Sequence, residues 1–137
     1  MSDWTYNGTD LFDIPSGSVG FIYVILNNVT GRKYIGQKTL FSKKTRPPLK
    51  GNTKKRRSVV DSDWRTYWGS SEELKRDIAN LGETNFKRDI MKFCESKSLM
   101  NYEETKIQFD LDVLRQPTLY YNGIINCRIS RNHILKK

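Results

Sequence analysis

Tyr23 and Tyr34, with ten residues between them, are two phenols whose surroundings suit phosphoryl chemistry. A block of lysines and arginines follows Tyr34, two adjacent carboxylates (Glu103 and Glu104) come late in the chain, and the amide of Asn122 lies beyond them. Hydrolysing a phosphodiester needs an activated water, stabilised charge on the phosphoryl oxygens, and help for the leaving oxygen. A phenol can orient or deprotonate a water when cations lower its pKa from about 10. A carboxylate can hold a hard divalent ion such as Mg²⁺, and a fixed guanidinium or ammonium can take developing negative charge. Taken singly, each residue has an ordinary explanation. Strand tyrosines pack, helix-surface glutamates are solvated, and an asparagine before Gly123 makes a turn. Chemistry requires a fold that brings them to one place.

The positioning elements are readable. Val19–Leu26 is β-branched and aromatic, residues 27–31 are turn-rich, and Arg32–Gln37 resumes extended character, which predicts a β-hairpin with one tyrosine on each strand. Ser70 and Glu73 have capping-box spacing ahead of Leu74, Ile78 and Leu81, so a helix is expected to run to Gly82. Phe86–Phe93 reads as a third strand. From about Ser98 to Leu114 the apolar stripe Ile107, Leu111 and Leu114 predicts a second helix, with Phe109 and Val113 beside it and Pro117 ending it. Position 103 continues that stripe, whereas Glu104 falls with Gln108 and Arg115 on the expected solvent side. Helical geometry therefore favours Glu103 as the carboxylate facing the sheet. Tyr120–Gly123 reads as a turn, and Ile124–Ile129 as a closing strand or an extended tail.

Composition sets the outer limits. A chain of 137 residues suits one domain, and 28% charged against 36% hydrophobic residues fits a well-solvated surface. No apolar run approaches the ~18 residues of a spanning helix, and the first residues lack a basic-then-apolar signal, so a cytoplasmic protein with no membrane partner is expected. Cys94 and Cys127 have no CxxC spacing and read as reduced packing residues. The single histidine, His133, lies near the end, which excludes histidine-pair metal catalysis and a Ser-His-Asp arrangement through any other residue. The net charge is +9, and its distribution matters more than its size. Lys43, Lys44, Arg46, Lys50, Lys54, Lys55, Arg56 and Arg57 lie between Phe41 and Val60 with no acidic residue among them, and account for all but one of that net charge. One concentrated basic segment is a site for a polyanion. Pro47-Pro48 and Gly51-Asn52 preclude a continuous helix there, so an inserted loop or extended arm is expected.

The segments Phe21-Ile22-Tyr23 and Tyr34-Ile35-Gly36 resemble the two tripeptides that open the GIY-YIG nuclease domain. The second is matched in full, and in the first Phe21 stands where the family has glycine. The resemblance spans roughly residues 19 to 126. Trp68-Gly69-Ser70-Ser71 and Leu81-Gly82 before Asn85-Phe86 also look like stretches of phage-encoded, stand-alone members, which would act in the host cytoplasm. It implies a metal-dependent DNA endonuclease on an α+β fold, with a small, mainly antiparallel three-stranded sheet flanked by helices. Tyr23 would activate the water, Tyr34 would line the same cleft, one glutamate would hold Mg²⁺ or Mn²⁺, and Asn122 of the Tyr-Asn pair would brace the site. The family glutamate stands four residues before an aliphatic one, as Glu103 does before Ile107. The catalytic cation stays open among Arg65, Arg46 and Lys44. Lys44 has the matching offset, Arg46 is its neighbour, and Arg65 is the first arginine beyond an insertion. The expected organisation is a lead-in over 1–18 packing through Trp4, Tyr6 and Phe12, and a nuclease domain over 19–129. That domain carries the basic insertion at 41–63, and a basic tail follows at 130–137. No separate DNA-binding module such as larger homing endonucleases carry is expected, nor a small-molecule cofactor, so site selection falls to residues 41–60. The competing expectation is a non-catalytic DNA- or RNA-binding protein on a nuclease-derived or other small basic fold.

Overall fold

The computed structural model describes residues 4–11, 13–51, 53 and 56–135, with the side chains of 44–46, 56 and 57 outside the description. A five-stranded sheet in the order β2-β1-β7-β3-β4 is its centre. Strands β3 (Gly20–Asn27) and β4 (Lys33–Thr39) form the expected hairpin, and β7 (Phe86–Cys94) is the third strand, antiparallel to β3. The sheet is larger than the three strands expected because the lead-in belongs to it. Trp4–Tyr6 forms β1, parallel to β7, and Thr9–Asp10 forms β2 beside it. The Trp4 indole N–H donates to the Trp64 carbonyl at 3.0 Å, which anchors this strand over the core. Phe12 lies outside the described residues.

Alternation along β3 sends Phe21, Tyr23 and Ile25 to one face and Ile22 to the other. The first face is closed by Trp4, Trp64 and helix α1 (Glu72–Leu81), which buries Leu74 and Ile78. The second is covered by α2 (Lys97–Asp110) through Met100, together with Val113. Phe21 is fully buried, with ring neighbours Trp4, Tyr23, Trp64 and Phe93 at 5.1–6.1 Å in edge-on geometry. The aromatic at the family's glycine position is thus a core residue.

Boundaries differ where caps compete. The Ser71 hydroxyl, not that of Ser70, accepts the Leu74 N–H and caps α1. Helix α2 stops at Asp110, earlier than Leu114, because Asp112 takes a left-handed φ of 55° before a short 3-10 turn at Val113–Arg115. The turn expected at 120–123 sits instead at 117–119, and residues 121–130 carry no regular secondary structure before the short α3 (Arg131–Ile134). The basic stretch is a two-stranded hairpin, β5 (Phe41–Arg46) with β6 (Arg56–Asp61), rather than a loop. Both cysteines are free. No helix among the described residues is long and apolar enough to cross a membrane.

Restoring the family's glycine at position 21 would remove the centre of the aromatic cluster. Phe21→Gly is expected to destabilise the fold by about 3–5 kcal/mol, the scale of large-to-small core truncation, read from the midpoint of urea unfolding. Near-wild-type stability would show that the cluster collapses around the gap.

Candidate active site

Pairing of β3 with β4 sets Tyr23 directly opposite Gly36. A side chain at position 36 could not coexist with this arrangement. A Cβ there would overlap the Tyr23 hydroxyl and lie 2.6 Å from its Cζ and 2.9 Å from Cε2 of Tyr34. A bulge in the β3–β7 pairing falls between Ile22 and Tyr23, a device that re-aims a side chain. The Tyr23 and Tyr34 rings lie 6.2 Å apart, and Tyr67 stands edge-on to Tyr23 at 6.1 Å. Three phenols thus converge on one face.

Strand β4 is the sheet edge, and its outward backbone groups need partners. The Asn122 amide supplies them at Ile35, the residue between Tyr34 and Gly36. Its Oδ1 accepts the Ile35 N–H at 3.0 Å, and its Nδ2 donates to the Ile35 carbonyl at 2.8 Å. Gln108 donates to the same carbonyl at 3.2 Å. Tyr121 prepares this clamp. Its hydroxyl donates to Asp77 at 2.6 Å and accepts from Asn27 at 3.0 Å, while the Arg32 guanidinium lies 4.1 Å over its ring and pairs with Glu73 at 2.7 Å. Gly69, at φ +86°, turns the chain ahead of Ser70, whose hydroxyl shares a 2.9 Å hydrogen bond with Tyr34.

A cavity of about 330 Å³ opens beside this edge, lined by Tyr34, Ser70, Glu104, Gln108, Tyr121, Asn122 and Asn126 among others. Glu104 lies in this wall; Glu103 does not. Glu103 points to β7, where it pairs with Lys92 at 3.3 Å. The buried stripe of α2 passes through Met100 and Gln108, with Glu104 midway between them; Ile107 packs against the second core, and because the helix ends at Asp110, Leu111 and Leu114 do not continue its stripe. Leu111 and Leu114 are 39% and 44% exposed. A larger, more apolar depression of about 410 Å³ lies on the opposite sheet face, over Val24, Leu26 and Met91, away from the phenols.

Electrostatics set the protonation states. Burial pushes the Tyr23 phenol well above its ordinary value, and the neighbouring Tyr34 and Tyr67 add to that push. Burial also raises Tyr34, against the lowering effect of its Ser70 hydrogen bond. Burial alone pushes the Glu104 carboxyl up to about 7. Among the described residues no ion pair reaches it.

The cation candidates separate. Arg65 is largely exposed, stacked on the Trp64 ring at 4.5 Å and 4.0 Å from Asp61. Lys44 and Arg46 lie on β5, with side chains outside the description, and Lys43 and Lys50 are exposed. Lys54 and Lys55 lie outside the described residues, and Arg56 and Arg57 begin β6. His133 is exposed, and its Nδ1 accepts the Ser130 N–H at 3.2 Å, a capping role. Ser70 and Gln108 are neighbours of the cleft that the sequence pattern assigned to a cap and to solvent. The i, i+4 spacing of Met100, Glu104 and Gln108 was the available signal.

Residues 4–125 match the model of the family described as "Putative endonuclease segE, GIY-YIG domain". The chain belongs to the GIY-YIG endonuclease family and carries a nuclease domain. No curated protein and no solved structure matches. Nucleases of this family generally use a divalent metal, and the cleft fits one in a particular way. Glu104 is a half-buried carboxylate with no ion pair among the described residues, beside the Tyr34 and Ser70 hydroxyls. The described residues contain no group of three or more His, Cys, Asp or Glu side chains that could hold a metal ion by themselves. Such a site suits a hard ion that keeps several waters and binds phosphate directly, as Mg²⁺ does.

The raised Glu104 carboxyl couples stability to pH. In the fold it stays protonated up to about 7, while in the unfolded chain it ionises near 4.5, so stability falls as pH rises between those values. Glu104→Gln removes this loss. The metal-free variant is expected to match wild type near pH 4.5 and to exceed it by on the order of 1–2 kcal/mol at pH 8, after discounting for partial solvent access. Urea unfolding across that range measures it, and a pH-independent difference would place the Glu104 carboxyl in water.

Proposed function

We propose that the protein is a metal-dependent DNA endonuclease that hydrolyses phosphodiester bonds in the cleft at the β4 edge. What supports this reading is the convergence of Tyr23, Tyr34, Tyr67 and Glu104, with Asn122 clamping the strand that carries Tyr34. Glu104, rather than Glu103, would hold the metal, with Tyr34 and Ser70 beside it. Bound there, Mg²⁺ or Mn²⁺ would offset the negative charge that develops on the phosphoryl oxygens. Tyr23, kept as a neutral phenol by burial and lying behind the residues that line the cavity, would orient the attacking water through its oxygen once the cleft opens to it on substrate binding. For it to accept the water's proton, positive charge near the cleft must first offset the cost of a buried phenolate. Once Tyr23 has given its own proton to solvent, the water oxygen bonds to phosphorus as its proton passes to the phenolate, and the departing sugar oxygen takes a proton from solvent as its bond to phosphorus breaks. Asn122 acts by holding Ile35, and so Tyr34 and Gly36, in register.

The β5–β6 hairpin is proposed to hold the duplex. A two-stranded ribbon fits a DNA groove, and the basic residues of 41–60 lie along or beside this hairpin.

Cleavage of supercoiled and branched DNA, with Mg²⁺ or with chelator, tests the activity. Tyr23→Phe is expected to lower cleavage by at least ~10²-fold with DNA binding intact. Glu104→Gln is expected to abolish Mg²⁺-dependent cleavage, and Glu103→Gln to change it little. Salt-sensitive binding without cuts by the wild type would establish the non-catalytic alternative. Serine at Lys54, Lys55, Arg56 and Arg57 is expected to weaken binding to all sequences and to flatten its log–log salt dependence by up to about four. An unchanged slope would remove the hairpin from the interface.

A further inference from the structure

Period-two alternation on β4 places a third residue on the tyrosine face after Tyr34 and Gly36. That residue is Lys38, opposite Phe21 in the register. Its ammonium lies 4.2 Å from the centre of the Tyr67 ring, and Tyr67 in turn packs edge-on against Tyr23. Lys38 also reaches Asp63 Oδ1 at 2.6 Å. The pair is lopsided, because the lysine side chain is 18% exposed and the aspartate side chain 70%. The cation is therefore built into the surface beside the phenols, while its partner carboxylate is a water-facing group that another anion can replace.

Three described arginines are committed elsewhere. Arg32 is bound to Glu73 and to the carbonyls of Pro117 and Tyr120. Arg88 is buried, stacked on Trp4 and Trp68, and donates to the carbonyls of Arg65 and Tyr67. Arg65 lies flat on the outer face of Trp64 beside Asp61. Arg88 even contributes to the Lys38 arrangement, since it fixes the backbone at Tyr67 on which the ammonium rests.

Resting on the nuclease reading above, we propose that Lys38 is the phosphate-contacting cation of the site, and that Asp63 occupies its ammonium until a DNA phosphate takes that place. A carboxylate oxygen and a phosphodiester oxygen present the same kind of acceptor to an ammonium, so the exchange needs no rearrangement of the strand. A lysine serves such a role as a point charge, without the fork of a guanidinium. Its position two residues beyond Gly36 ties it to the same rigid strand as Tyr34. Charge delivered there stabilises negative charge on the phosphoryl oxygens and favours the ionised form of the adjacent phenols.

Single-turnover cleavage at saturating DNA, half-saturating DNA concentration and melting temperature, measured together in Mg²⁺, separate the outcomes. Lys38→Gln is expected to lower the saturated rate by about 10²-fold or more, the scale of losing one charge-stabilising group. Lys38→Arg is expected to restore at least a tenth of the rate, which a merely structural ion pair would not require. Asp63→Asn is expected to lower the half-saturating DNA concentration by up to about fivefold, the value of one exposed ion pair. A Lys38→Gln protein that cleaves like wild type overturns the proposal and leaves the nuclease reading standing. Equal rate losses in Lys38→Gln and Asp63→Asn with matching falls in melting temperature also overturn it, since they mark a structural pair. A wild type that makes no cuts removes both readings.

Discussion

The site depends on one steric constraint, the absence of a side chain opposite Tyr23. Gly36 leaves the space in which the Tyr23 hydroxyl lies against the neighbouring strand, and that placement sets the distance to Tyr34. The constraint is only as firm as the register of an edge strand, which the sheet supports from one side. The second support comes from the far end of the chain. Asn122 takes both backbone groups of Ile35 as a neighbouring strand would, and Leu119 and Tyr121 bond both backbone groups of Lys33. A strand edge that would otherwise be open to pairing is thereby closed, and the tyrosine register is held by the same contacts.

Polar burial around this edge is costly in the free protein. Tyr23 is nearly inaccessible and kept neutral, and Glu104 is raised by desolvation without an ion-pair partner among the described residues. Such groups persist where the surrounding fold over-determines them, and here the over-determination is visible. Arg88 ties the carbonyls of Arg65 and Tyr67 to the sheet, the Trp4 indole N–H donates to the Trp64 carbonyl, and Arg32 joins α1 to Tyr121. Phe21 belongs to the same economy. It gives Trp64 a surface to pack on, next to the segment whose Tyr67 stands edge-on to Tyr23.

Much of the frame was legible in the residues because local pattern and tertiary demand agree there. The hairpin strands are β-branched and aromatic, and the first helix has its caps within one residue of the expected place. Strand β7 was legible for the same reason. Where pattern and structure part, burial does not follow hydrophobicity. Ile107, Leu111 and Leu114 make a plausible apolar stripe, yet α2 ends at Asp110 before the two leucines, and its inward face also carries Gln108, which donates to the β4 edge, and Glu104, which lines the cavity. A polar residue on a buried stripe is where pattern reasoning breaks at a functional site. Strand β1 was illegible for a different reason, since three residues carry almost no periodicity and their partner β7 lies far along the chain. Lys38 stood in plain alternation with Tyr34 and Gly36, but a single lysine next to a large basic block carries no signal of its own.

Anomalous diffraction from Mn²⁺ in crystals of the protein bound to DNA tests the central claim most directly. The account predicts a peak about 2 Å from the Glu104 carboxylate, on the side facing Tyr34 and the scissile phosphate. A peak at Glu103 beside Lys92, or none within reach of the tyrosines, would contradict it.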